Sequence, residues 1–223
     1  MRTPHEIYAA YTIMPTLQLH QLRVAAVAKL VCDNFKRPVN TRDVILACLF
    51  HDMGNVIKSD FSAFPDFCEP QGVAYWEGVK STFIQKYGTN SHQANVAIAG
   101  EIGLPESVVA LIDGIAYSKM ASILEGSSYE RKICEYADTR VGPRGVLSQQ
   151  ERMLEGKWRY EKRKKEEEDK VEPYYADSGF DTLLHLAHGV ERQIFAETTM
   201  KPEDINDRMV APLIEELWEY AVA

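Results

Sequence analysis

Apolar residues recur along this chain at helical rather than strand spacing, and the pattern divides it into a series of short helices. Over Thr16 to Asn34, His20, Val24, Val27 and Val31 follow at intervals of four, three and four, so they share one inward face. Val44 to Phe50 differs: after Asp43 come seven consecutive apolar residues with no polar face, which predicts a fully buried helix. Pro38 marks the turn before it, and Thr41 is the expected N-cap. Further helices are predicted over Val73 to Tyr87, ended by Gly88, and from a capping cluster at Thr89, Asn90 and Ser91 through Ile102, ended by Gly103. Another starts at Leu104-Pro105-Glu106, with proline in its first turn, and runs to about Met120. Cys134, Ala137 and Val141 form a later apolar stripe. Between Phe61 and Pro70, FSAFPDFCEP combines three phenylalanines with two prolines, the composition of an irregular segment pinned to the core, able to wall or lid a pocket.

The composition changes after Gly142-Pro143-Arg144-Gly145. Lys157 to Lys170 is almost wholly charged and mixed in sign, which reads as a long solvated helix rather than a binding tract. Pro173 and Gly179 flank an expected turn, and amphipathic helices follow over about Phe180 to Glu197 and Lys201 to Val222. No strand alternation of useful length and no repeat is visible, so the fold class is all-α: a helical domain over residues 1–145, with additional C-terminal helices over 146–223 packed on it.

Composition narrows the function. The 223 residues are 45% hydrophobic and 26% charged, enough to bury a core. A net charge of -8 and a pI near 5.3 argue against a binder of duplex nucleic acid. Cys32, Cys48, Cys68 and Cys134 are widely spaced without a CxxC motif, as reduced, buried thiols would be. The N-terminus lacks a signal-like apolar segment, and the longest apolar run falls short of the ~20 residues of a membrane span. A soluble cytoplasmic protein with no membrane partner is the expectation.

The candidate chemistry sits on the buried faces. His51 and Asp52 close the Val44–Phe50 run, so a titratable pair is delivered into the core. An ionised carboxylate there costs several kcal/mol unless it is paired. A divalent cation shared by imidazole and carboxylate is one solution; a turn-capping Asp beside a hydrogen-bonded core histidine is the other. His20 among the valines has the same two readings, and Asp138, inside the Cys134 stripe, needs either Arg23 or Arg140 or a shared metal. Arg23, one turn from His20, and Lys58, beyond Asp52, are candidates to neutralise an anion, with Asn55 and Asp60 weaker ones. His92 starts an inward stripe with Val96 and Ala99, where it would meet a phosphate or a second metal. Glu77, Tyr117, Lys119 and Arg140 are secondary pocket candidates, and His185 with His188 form a rival metal pair at i, i+3 spacing.

Together, His20, His51-Asp52 and Asp138 resemble the H...HD...D pattern of the HD-domain metal-dependent phosphohydrolases. The resemblance runs from Thr16 to Gly145 through LHQLRVAAVA, LACLFHDMGN, IAGEIGLPESVVALI and EYADTRV. It implies an HD-domain-like helical bundle holding a divalent metal ion, commonly manganese, cobalt, iron, zinc, nickel or magnesium, with His20, His51, Asp52 and Asp138 as ligands. It also implies hydrolysis of a phosphomonoester or nucleotide phosphate by a metal-activated water, with Arg23, Lys58 and His92 neutralising phosphate charge. The partner is then a small phosphorylated substrate such as a nucleotide, and the arrangement admits a homodimer. Two other functions share the pattern: an oxygen-dependent di-iron enzyme, for which Tyr117 and Lys119 stand where a further histidine is expected, and a non-catalytic nucleotide sensor that keeps the metal cage.

Overall fold

The computed structural model describes residues 2–164 and 177–222. Its elements, in order, are α1 (Pro4–Ala10), α2 (Pro15–Asp33), α3 (Thr41–Phe50), α4 (Val73–Tyr87), α5 (Ser91–Ile102), α6 (Glu106–Gly114), α7 (Met120–Glu125) and α8 (Tyr129–Asp138). A two-residue hairpin follows, β1 (Val141–Gly142) paired antiparallel with β2 (Gly145–Val146), then α9 (Gln149–Lys164), α10 (Asp177–Ala196) and α11 (Asp207–Trp218). The protein is an all-α bundle, and the hairpin is the whole of the sheet among the described residues.

Helix α2 is the central element, packed against α3, α8 and α11. Its burial exceeds the predicted valine stripe, because Val24, Ala25, Ala26, Val27 and Ala28 are all fully buried. Small side chains let neighbouring backbones approach from several sides at once, so the surrounding helices enclose it. Every residue from Val44 to Phe50 is buried, as the unbroken apolar run requires. The cap lies one residue earlier than Thr41: Asn40 accepts a hydrogen bond from the Asp43 N–H. Asn90 caps α5 in the same way, and Gly103 ends it with φ +84°, a left-handed conformation that side chains resist.

The helix expected to reach Met120 breaks at Gly114. Ile115 and Ala116 are extended, a short 3₁₀ turn spans Tyr117–Lys119, and the chain bends by 89° before continuing as α7. The break frees the Ala116 N–H to donate to the buried Glu135 carboxylate at 3.0 Å, a tertiary partner that no local pattern discloses.

Beyond the hairpin, α11 packs on α2 while α10 packs on α7 and α8. Arg140 ties the two regions together: it is 3% exposed and donates to the carbonyls of Leu147, Pro202 (3.2 Å) and Ile205 (3.1 Å) and to the Tyr136 hydroxyl. Its guanidinium is consumed by structure, which corrects its reading as a pocket residue. Gly179 lies inside α10 rather than at a turn, whereas Pro173 and the charged stretch past Lys164 fall outside the described residues. No single helix among the described residues is long and apolar enough to cross a membrane. All four cysteines are free and buried.

Candidate metal centre and its cavity

The centre is assembled where α3 ends. The fully buried Tyr8 donates to the Leu49 carbonyl at 2.6 Å, satisfying one of the acceptors left open in the last helical turn. His51 Nδ1 lies 2.8 Å from the Cys48 carbonyl, so this nitrogen carries the proton and Nε2 presents its lone pair. Nε2 is buried and has no hydrogen-bond partner. It faces Asp52 Oδ2 at 3.6 Å and Asp138 Oδ1 at 3.5 Å. From α2, His20 Nε2 meets the same two carboxylates at 3.7 and 3.2 Å. Ligand atoms of His20, His51 and Asp52 all lie within 4.8 Å of one another, the one such group of histidine, cysteine or acidic side chains among the described residues. Asp138 thus turns to the histidines, not to Arg23 or Arg140.

The spacing suits a shared ion. Ligands each about 2.1 Å from one centre stand roughly 3.0–3.5 Å apart at ordinary coordination angles, close to the separations seen here. Without a cation, two lone-pair-bearing nitrogens and two carboxylates must share protons instead. Burial acts to lower the His51 pKa, but the carboxylate charges of Asp52 and Asp138 facing it outweigh burial and raise the imidazole to about 9. Burial likewise opposes ionisation of Asp138, yet the imidazoles of His20 and His51 facing it hold it well below the usual carboxylate range. The cluster therefore favours positive charge at its centre.

Two neighbours position the Asp52 turn. Gln21, fully buried on α2, accepts the Asp52 N–H at 3.1 Å. Gly54 donates to Asn95 Oδ1 at 2.6 Å, which docks the turn on α5. Gly54 has φ -93°, so its requirement is steric rather than conformational: a Cβ there would lie 2.6 Å from Ala94 Cβ and 2.9 Å from the Ser91 carbonyl.

A cavity of about 730 Å³ opens over His20, His51, Asp52 and Asp138. Phe61, Phe64 and Phe67 line one side, so the segment from Phe61 does form a pocket wall. It is fastened by Lys80, which donates to the Ser59 carbonyl at 2.8 Å, and by Lys162, which donates to the Ala63 carbonyl at 2.9 Å. Lys58, Asn55 and Asp60 also line the cavity, as do Tyr117 and Lys119. His92 reaches it with Nε2 bound to Asp113 Oδ1 at 3.0 Å, and Lys119 Nζ sits 3.0 Å from Asp113 Oδ2. The Lys119 bond, with His92 second, holds the Asp113 carboxyl below its ordinary pKa. An ammonium on that carboxylate disfavours a second metal ion at His92.

Arg23 does not line this space; its Nη1 lies 3.4 Å from the Pro143 carbonyl. Glu77 is also absent from the lining, and His185, on the exposed side of α10, joins no metal-binding group among the described residues. Of the stretch read as a solvated helix, Arg159 lines the cavity, together with Arg152 and Gly156, which precede that stretch on α9; its part past Lys164 lies outside the described residues. The three stand at i, i+4 and i+7 on α9, a spacing that puts them on one face.

The HD domain family model matches residues 18–137, more than half of the sequence, and the chain belongs to the HD-domain family. That family points to metal-dependent hydrolysis, and His20, His51 and Asp52 form a group that could hold the metal. No curated protein and no solved structure matches the chain. The family match stops at Ala137, so Asp138, one residue further, joins the centre on its distances to the two histidines.

Proposed function

We propose that this protein is a metal-dependent phosphohydrolase acting on a phosphomonoester or nucleotide phosphate. The observation that carries the proposal is the orphaned His51 Nε2, buried among carboxylates at the floor of a cavity large enough for a small metabolite. His20, His51, Asp52 and Asp138 would hold the ion. A divalent cation in that position supplies an acidified water and offsets charge building on the phosphoryl group. The remaining duties belong to the chain. Gln21 and Asn95 keep the Asp52 turn in place through the Asp52 and Gly54 N–H groups. Lys58 offers an ammonium to the phosphate oxygens, and His92, oriented by Asp113, offers an imidazole. The phenylalanine wall excludes water from one side and suits an apolar or planar body attached to the phosphate.

The test combines metal content with phosphate release. Purified protein should hold one equivalent of a divalent metal and release phosphate from members of a panel of phosphorylated metabolites under manganese, cobalt, iron, zinc, nickel or magnesium. Asp52→Ala should lose both together. Retained turnover in that variant, or a metal-loaded protein that binds nucleotides without releasing phosphate, would refute hydrolysis at this centre. Oxygen consumption after anaerobic iron loading would favour the oxygenase instead.

A further inference from the structure

A divalent ion between Asp52 and Asp138 has its two charges matched by two carboxylates, so the centre alone exerts little net pull on a phosphate dianion. Arg23, expected to meet that dianion, turns to the Pro143 carbonyl instead. Uncharged donors beside the centre therefore matter, and two side-chain amides stand there, next to the Asp52 turn.

Asn95, on α5, is 5% exposed and lines the cavity. Its Oδ1 accepts the Gly54 N–H at 2.6 Å. A backbone N–H can only donate, so this bond fixes which end of the amide is oxygen and which is NH2. The NH2 group bonds to none of the described residues, yet it is not sealed in the interior, which leaves it open to the cavity.

Asn55 follows Asp52 by one short turn. Its N–H donates to the Asp52 carbonyl at 3.0 Å, and its own carbonyl accepts the Ser59 hydroxyl at 3.1 Å. The backbone is thus engaged, but the side chain makes no hydrogen bond among the described residues. Oδ1 is buried without a partner, and NH2 is the end left to the cavity that Asn55 lines. An amide with an orphaned buried oxygen weakens the fold relative to an apolar side chain of the same shape, so packing does not account for it.

We propose that Asn95 and Asn55 form a neutral oxyanion subsite, donating from their NH2 groups to phosphoryl oxygens of the substrate. The inference rests on the reading that the metal cage receives a phosphomonoester. Donors held in place before the substrate arrives need no reorganisation as charge develops on those oxygens, and being uncharged they do not compete with a cation for Asp52 and Asp138. Asn95 then has one duty at each end of its amide: Oδ1 docks the turn, and NH2 meets the anion.

Asn95→Asp separates those duties, because a carboxylate still accepts the Gly54 N–H but offers the anion no donor. Isothermal titration of the manganese-loaded full chain with propylphosphonate, which is not hydrolysed, should show affinity weaker by about tenfold or more than in wild type, with metal affinity no lower. Ser118→Asp adds the same charge elsewhere on the cavity lining and should cost less than about threefold. Asn55→Leu should weaken probe binding by about fivefold or more while its Tm equals or exceeds that of wild type, a combination that a merely structural asparagine would not give. Undiminished probe affinity in either folded variant, an equal loss in Ser118→Asp, metal loss in Asn95→Asp, a lower Tm in Asn55→Leu, or no binding of the probe to wild type would overturn the subsite. Phosphate release from monoesters with probe affinity insensitive to both variants removes the subsite alone; variant-sensitive probe binding without phosphate release removes the hydrolase reading alone.

Discussion

Gly54→Ala places one methyl group where α5 meets the Asp52 turn. The added carbon would stand 2.6 Å from Ala94 Cβ, 2.9 Å from the Ser91 carbonyl oxygen and 3.0 Å from Asn95 Oδ1. Carbon atoms in contact prefer about 3.5–4.0 Å, so the turn and the helix must part by roughly 1 Å. The two closest obstacles cannot rotate away, since Ala94 Cβ is bonded directly to the α5 backbone and the Ser91 carbonyl is part of it. Overpacking of this kind costs about 1–3 kcal/mol, and weakening the Gly54 to Asn95 bond adds about 0.5–1.5 kcal/mol. The sum, about 1.5–4.5 kcal/mol, corresponds to a fall in Tm of roughly 3–18 °C for a domain of this size. Because the displaced turn carries His51 and Asp52, metal affinity should fall with it. Thermal unfolding by circular dichroism, paired with metal titration, measures both. The double variant Gly54→Ala, Ala94→Gly should recover about 1 kcal/mol or more relative to additivity, since it removes the closest clash and leaves the Ser91 contact. A Gly54→Ala protein that melts within about 2 °C of wild type and binds metal normally would refute this account of the turn.

Gln21→Leu keeps the volume on α2 but removes the acceptor of the Asp52 N–H, and should weaken metal binding about 10–100-fold while the helical circular dichroism is retained; unchanged affinity would show that Gln21 does not position the turn. Tyr8→Phe strands the Leu49 carbonyl and should cost about 1–3 kcal/mol in urea unfolding, with a loss below about 0.5 kcal/mol counting against the bond. Glu135 is pushed from 4.5 to about 8 by burial first and the Asp138 charge second. A folded-state pKa above the unfolded value means that the folded chain binds the extra proton, so stability contributed below pH 4.5 is lost as pH rises toward 8. Urea midpoints of the metal-stripped protein should therefore drop more steeply over that range in wild type than in Glu135→Gln, and parallel curves would contradict the assignment.

Local pattern disclosed the parts of this structure that depend on local physics. The Val44–Phe50 run could be stable only as a buried helix, so His51 had to arrive in the core. Gly88 and Gly103 stopped their helices where expected. Asp138 stood out because a carboxylate inside an apolar stripe demands a partner. The misses have one physical origin, which is that partners distant in sequence decided them. Gln21 resembles a surface residue until the Asp52 N–H is brought to it, and the α6 break follows from the Ala116 bond to Glu135. Arg23 was placed by its proximity to His20 along α2, but its guanidinium turns to the hairpin at Pro143. Arg159 stood inside the stretch read as solvated and Arg152 ahead of it, although their spacing with Gly156 is a readable signal once α9 is known to start at Gln149.

The central claim is that His20, His51, Asp52 and Asp138 converge on one divalent cation. Anomalous diffraction from manganese-loaded crystals tests it most directly. The account predicts a single strong peak about 2.0–2.3 Å from the two Nε2 atoms and from an oxygen of each aspartate. A peak elsewhere, or His51 Nε2 hydrogen-bonded to an aspartate with no density between the four side chains, would contradict it.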